Sequence, residues 1–185
     1  MTIKNVEVGH YSIPLPVVLS DSMHGDMASF ELMTARILDD EGREGLGYTY
    51  TLGAGARAIY SVMHSDMAPF LMDRDETRIE EIWHGLWWKL HYAGRGGLVI
   101  HALSAIDIAL WDLLGQRTSL PLWRLLGGAD PKVKAYAGGI DLMFSLDDLL
   151  AQTDQNLSKG FRAIKMKVGR DNLHEDVERI KTMRN

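Results

Sequence analysis

Apolar and polar positions alternate from Ile3 to Ile13, which predicts a first strand that Pro14 and Pro16 break. A polar, glycine-containing stretch from Ser20 to Met27 reads as a loop. A second apolar run, Phe30 to Leu38, leads into Asp39-Asp-Glu-Gly42, a turn of hairpin type, and Glu44 to Tyr50 supplies a third strand. Three short strands joined in this way predict an antiparallel meander. Helical periods follow over Gly55–Phe70 and Glu76–Tyr92, the second preceded by Asp73 and Asp75 as N-cap candidates. Leu98 to Gln116 is apolar around most of its circumference and predicts a deeply buried helix. A short helical turn over Leu120–Leu126 stops at Gly127-Gly128.

After Asp130-Pro131 the pattern changes. Val133–Ala137 reads as a short strand, and Ser145–Lys159 as a helix opened by Ser145 and Asp148 in capping-box spacing. Phe161–Gly169 reads as a second strand and Asn172–Arg184 as a charged amphipathic helix. This βαβα order calls for a parallel sheet, but two strands do not make a stable one alone. The expected organisation is therefore an α+β domain over residues 1–130, followed by the incomplete opening of an α/β domain over residues 131–185.

Within the second strand, Ile164, Met166 and Val168 alternate with Ala163, Lys165 and Lys167. Strand geometry sends both lysines from one face, one pleat repeat apart. Each then makes the other harder to protonate, which moves a lysine toward the range of a general base. Without context such a pair is most often a solvated face.

Composition narrows the classes. The 185 residues are 46% hydrophobic with a net charge of −5, and the charges are mixed, so no basic footprint for nucleic acid exists. The absence of cysteine removes disulfide and thiolate chemistry. The opening Met-Thr-Ile-Lys-Asn-Val-Glu lacks a signal-peptide core, and no uncharged stretch approaches the apolar length of a membrane span. The expectation is a cytoplasmic enzyme or enzyme fragment with neither nucleic acid nor membrane as partner.

Three segments, in order and at family-like spacing, resemble the enolase superfamily, in particular its mandelate racemase-like and acid-sugar dehydratase-like members. They are Gly94–Asp112, with Ser-Ala-Ile-Asp-Ile-Ala-Leu-Trp-Asp at its end, Pro121-Leu-Trp-Arg-Leu-Leu-Gly127, and Gly160-Phe-Arg-Ala-Ile-Lys-Met-Lys-Val-Gly169. The resemblance implies an α+β capping domain, an antiparallel three-stranded meander plus helical bundle, followed by the first two βα units of a truncated TIM-like (β/α) barrel. It also implies that Lys167 removes the proton α to a carboxylate, with Lys165 as its electrostatic helper, at the C-terminal end of a barrel strand. The implied cofactor is Mg2+, which stabilises the enediolate. Its ligands belong to later strands that this chain lacks, as does the acid–base partner on the opposite side.

By position, the capping loops at Ser20–Met27 and Tyr48–Gly55 close over substrate, with Ser20, His24 and Tyr50 as substrate-binding candidates and Asp21, Ser22, Tyr48, Thr49 and Thr51 nearby. Such groups suit a small-molecule hydroxy-carboxylate, above all a polyhydroxylated acid. Many cycloisomerising relatives carry a glutamate where this chain has Tyr48, which favours the racemase and dehydratase branches. The expected parent is a homo-oligomeric Mg-dependent enzyme that dehydrates a sugar acid to a 2-keto-3-deoxy acid, its N-terminal part inactive alone. The alternatives are a racemase of a 2-hydroxy acid and a non-catalytic capping or interaction module.

Other polar residues have structural readings. Asp107 and Asp112, five apart on one helix, suit buried hydrogen-bonded roles better than a metal site. His84, His91, His101 and His174 show no zinc-like spacing. Trp83, Trp87 and Trp88 read as core or inter-subunit packing. The Gly94-x-Gly-Gly97 run lacks the preceding strand of a phosphate loop.

Overall fold

A computed structural model describes residues 1–184. The chain forms two compact units, the first of Met1–Ile13 and Ser29–Pro131, the second of Pro14–Ala28 and the residues from Lys132 on. The division is thus not a single cut in the sequence.

Strands β1 (Ile3–Asp21), β2 (Gly25–Asp39) and β3 (Glu44–Thr51) form one sheet in the order β1-β2-β3. The antiparallel register of β2 and β3 runs from Glu31 opposite Thr51 to Leu38 opposite Glu44. Pro14 and Pro16 do not end β1, contrary to the sequence expectation. As an edge strand, β1 tolerates residues that cannot donate to a ladder. The expected loop at Ser20–Met27 shrinks to a turn at residues 22–24.

In the first unit, alternation drives Met33, Ala35 and Ile37 of β2 fully into the core. On β3, Gly45, Gly47 and Thr49 face inward while Leu46, Tyr48 and Tyr50 are exposed. The expected helix over residues 55–70 forms as α1 (Ala56–Val62), a π-helical stretch (Met63–Met67) and α2 (Ala68–Leu71). Helix α3 (Ile79–Lys89) begins without a side-chain cap. Asp75 instead accepts bonds from the N–H and hydroxyl of Thr77, and Asp73 sits in a turn at φ 60°, so neither caps α3.

Helix α4 (Leu98–Thr118) buries eight residues, from Val99 to Leu113. Fully burying a leucine or isoleucine contributes about 1.5–3 kcal/mol, so this helix anchors the unit. By length and composition alone α4, with Asp107 and Asp112 inside it, is apolar enough to cross a membrane, a test that the core helix of a folded domain also passes. It packs on β3, and a Cβ at Gly47 would lie 1.9 Å from the Ala105 carbonyl oxygen, so only glycine permits this approach. Asp112 accepts the N–H of Leu46 at 2.9 Å, as its structural reading expects. Asp107 is half-buried, and burial followed by the charge of Glu80 raises its carboxyl above the ordinary range. Trp83 and Trp87 stack at 5.2 Å against the core. A short α5 (Leu122–Leu125) follows α4.

The second unit holds β4 (Ala137–Gly138), α6 (Leu146–Ser158), β5 (Ile164–Lys165) and α7 (Leu173–Arg184). β4 and β5 are parallel, as the βαβα order predicts, but only Ala137–Ile164 and Gly138–Lys165 pair in register. Both strands are therefore much shorter than expected. Ser145 caps α6 by accepting the N–H of Asp148 at 3.1 Å and donates its hydroxyl to the Asp148 carboxylate at 2.6 Å.

Candidate active site

The site lies within the second unit, where β4 and β5 end together. The N–H of Gly139 donates to the Lys165 carbonyl at 2.8 Å, the last rung of the ladder. Beyond it a side chain replaces the strand partner, because the N–H of Lys167 donates to Asp141 Oδ1 at 2.8 Å. Lys165 is exposed, whereas the Lys167 side chain is about three-quarters buried, at 26% exposure.

Two arginines fix the surrounding loops. Arg179 of α7 is buried and donates to the carbonyls of Asp141 (2.9 Å) and Phe144 (2.7 Å). Burial, reinforced by nearby Arg170, lowers its pKa from the usual arginine value, against the pull of Asp141 and Asp176. Arg170 donates to the carbonyls of Leu142 and Phe144, both at 2.9 Å, and pairs with Glu175 at 3.0 Å. Asp176 accepts the N–H groups of Gly169 (2.7 Å) and Arg170 (3.1 Å), clamping the turn that follows the lysines.

The tip of the β1–β2 hairpin joins the same loops. Ser20 forms a parallel bridge with Asp141, its N–H donating to the Ile140 carbonyl and its carbonyl accepting from the N–H of Leu142, both at 3.2 Å. Its hydroxyl accepts the N–H of Met143 at 3.0 Å and the residue is buried, so Ser20 stitches the hairpin down. Ser22 lies close to Gly169, where φ is +115° and an added Cβ would come within 2.8 Å of the Ser22 Cβ.

Asp21 is the hub of the tip. Its Oδ1 accepts the N–H groups of Met23 (3.0 Å) and His24 (2.7 Å), and His24 Nδ1 lies 3.0 Å from both carboxylate oxygens. The His24 ring first, then these N–H groups, hold the Asp21 carboxyl well below the usual carboxylate range, against the opposing effect of burial. Asp21 Oδ2 stands 3.6 Å from Lys167 Nζ. His24 and Lys167 are thus brought together through a residue named in the sequence only as a loop member. Tyr50 belongs to the first unit, exposed on β3 and edge-on to Phe30 at 5.7 Å.

Sequence reasoning missed Asp141. Its only signal is an acidic residue just past the predicted strand and the Gly138-Gly139 pair. Among the described residues no three histidine, aspartate or glutamate side chains gather as a metal site. These residues therefore do not by themselves fit a catalytic divalent cation.

Residues 4–127 match the model of the mandelate racemase / muconate lactonizing enzyme N-terminal domain. The 3,6-anhydro-alpha-L-galactonate cycloisomerase of Streptomyces coelicolor is 53% identical over 182 residues, covering 98% of this chain and 50% of that protein. A crystallised racemase from Streptomyces coelicolor with bound magnesium superposes with a TM-score of 0.95 at 53% identity, over 98% of this chain and 51% of its own. The L-talarate/galactarate dehydratase of Salmonella typhimurium, liganded with Mg and L-lyxarohydroxamate, gives a TM-score of 0.92 at 32% identity, over 98% and 48%. The chain spans about half the length of the relatives it matches.

Proposed function

Because the chain belongs to the mandelate racemase / muconate lactonizing enzyme family of the enolase superfamily, we propose that its parent enzyme removes the proton α to the carboxylate of a sugar acid and then expels the oxygen at the β carbon. The observation that carries this is Lys167, mostly buried at the end of a parallel strand pair, with the Asp21–His24 hairpin tip over it. Lys167 Nζ takes the α proton, and the electron pair of that C–H bond enters the enediolate. The pair then returns to form the C2–C3 double bond as the C3–O bond breaks, the departing oxygen takes a proton from the acid on the opposite side of the substrate, and the resulting enol becomes the 2-ketone by gaining a proton at C3. Lys165, at the last rung of β5, adds positive charge beside the base. The magnesium seen with relatives supplies charge stabilisation of the enediolate when bound. The described residues hold no ligand set for it.

The leaving oxygen decides the name of the reaction. If it is a hydroxyl, water is lost and the product is a 2-keto-3-deoxy acid. If it belongs to an internal ether, as in a 3,6-anhydro acid, the ring opens with no change in mass. Tyr48, in place of the glutamate of many cycloisomerising relatives, favours loss of a hydroxyl, whereas the 53%-identical cycloisomerase favours opening of an ether. Racemisation is the second reading, favoured by the magnesium-bound neighbour being described as a racemase.

The test uses the full-length polypeptide that carries these residues, with Mg2+, in deuterated water. Galactarate, talarate and 3,6-anhydrogalactonate are the candidate substrates. Deuterium entering at C3 with loss of one water marks dehydration, deuterium at C3 with ring opening and no water lost marks cycloisomerisation, and exchange at C2 with the hydroxyl retained marks racemisation. Lys167→Ala is expected to slow α-hydrogen exchange on the order of a thousandfold. Exchange at the wild-type rate in that variant removes Lys167 from the mechanism.

A further inference from the structure

We infer that Asp21 is a positioning residue for Lys167, and that the hairpin tip and the base are one unit joined through this carboxylate. The inference rests on the assignment of Lys167 as the base. Asp21 is immobilised from three directions. Two N–H donors and the His24 ring hold its carboxylate, Ser20 before it is bridged to Asp141, and Ser22 after it packs against Gly169. Asp141 is the same residue that receives the N–H of Lys167. The main chain of the base and the carboxylate facing its Nζ are therefore fixed to one another through a short ring of contacts: Lys167 to Asp141, Asp141 to Ser20, and Asp21 back to Lys167 at 3.6 Å.

A lysine side chain has four rotatable bonds, and a free ammonium would sample many positions. An opposing carboxylate within ion-pair reach narrows that set to conformers with Nζ under the hairpin tip. Reaction by proton abstraction needs Nζ near one substrate hydrogen, and misplacement by about 1 Å costs up to roughly a hundredfold in rate. His24 serves the same geometry. Its Nδ1–H points at Asp21, so a neutral ring presents Nε2 outward as an acceptor suited to a substrate hydroxyl. The His24 side chain is half exposed, which leaves that edge accessible.

The test compares Asp21→Asn, Asp21→Glu and Val18→Ala in the full-length enzyme. Val18 is exposed on the β1 arm of the same hairpin, away from its tip, so its variant reports on hairpin disturbance alone. One readout is independent of activity: the rate at which an amine-reactive acylating reagent modifies Lys167, measured against exposed Lys159 by peptide mass spectrometry. Asp21→Asn is expected to raise that ratio several-fold, and Asp21→Glu to leave it near wild type. The second readout is α-hydrogen exchange. Asp21→Asn is expected to lower kcat on the order of ten- to hundredfold with KM changed less than about threefold, while Asp21→Glu recovers most of the loss and Val18→Ala is unaffected. An unchanged labelling ratio in Asp21→Asn, or an unchanged kcat, overturns the inference. If Lys167→Ala exchanges normally while Asp21→Asn still raises labelling, the pairing stands and it is the base assignment that has failed.

Discussion

The backbone N–H of Lys167 donates to the carboxylate of Asp141 at 2.8 Å, two residues past the point where β5 stops pairing with β4. A side chain thus continues the work of a strand and fixes the main chain at the candidate base. Asp141 is fully buried, its carbonyl accepts from Arg179, and its Oδ2 has no hydrogen-bond partner among the described residues. Asp141→Ala leaves the Lys167 N–H without its acceptor and should destabilise the protein by about 1–3 kcal/mol. Asp141→Asn keeps an acceptor oxygen and should lose clearly less. Urea unfolding of the two variants decides the point, and equal losses would show that this bond contributes nothing.

Much of this arrangement was legible in the sequence because periodicity reports burial directly. Met33, Ala35 and Ile37 alternate and are all fully buried, and the apolar girth of Leu98–Gln116 marked the core helix. Ser145 and Asp148 announced a cap that forms. What periodicity could not supply was the identity of long-range hydrogen-bond partners. Pro14 and Pro16 looked like strand breakers because edge position is a property of the sheet, not of the local sequence. Asp75 looked like a helix cap, yet its carboxylate is taken by Thr77 two residues on. At the site, the two lysines stood out by spacing, whereas Asp141 and Asp21 matter through contacts with residues 26 and 146 positions away along the chain.

Gly169 follows the lysines at φ +115° with the Ser22 side chain close by. Gly169→Ala meets both a backbone penalty of about 1–3 kcal/mol and a steric conflict with the hairpin tip. The tip should lift, so the Met23 and His24 amides that donate to Asp21 should exchange with deuterium faster than in the wild type. Unaltered protection of those two amides would mean that the tip and the Gly169 turn are not in contact.

Acid should weaken the first unit through Asp39. Burial alone would raise this carboxyl, but the N–H groups of Arg43 (2.8 Å) and Glu41 (2.9 Å) and the Arg43 guanidinium (2.9 Å) outweigh it and leave the pKa below the ordinary aspartate value. A folded-state pKa that is depressed contributes stability in full above the unfolded value, near 3.9, and the contribution fades as pH falls below it. The Tm of Asp39→Asn should therefore be lower than wild type at pH 6, with the gap closing below about pH 4. A gap that persists unchanged at low pH would assign the effect to packing instead of charge.

Glu76 and Arg117 give the sharpest test of burial energetics in the first unit. The Glu76 side chain is fully buried, and its Oε1 accepts from Arg117 Nη1 at 2.9 Å on the last turn of α4. Its Oε2 has no hydrogen-bond partner among the described residues. Arg117 is 30% exposed, so water screens part of the attraction. The intact pair therefore contributes little net stability against an apolar pair of similar volume. Removing one partner is different, because Arg117→Met takes away the cation paired with a fully buried carboxylate. That single change should cost about 2–4 kcal/mol after allowance for screening. Adding Glu76→Gln removes the stranded charge, and the double variant should recover more than half of the loss. A double-mutant cycle by urea unfolding measures the coupling. Strictly additive losses would show that Glu76 does not depend on Arg117, and that some other group neutralises it.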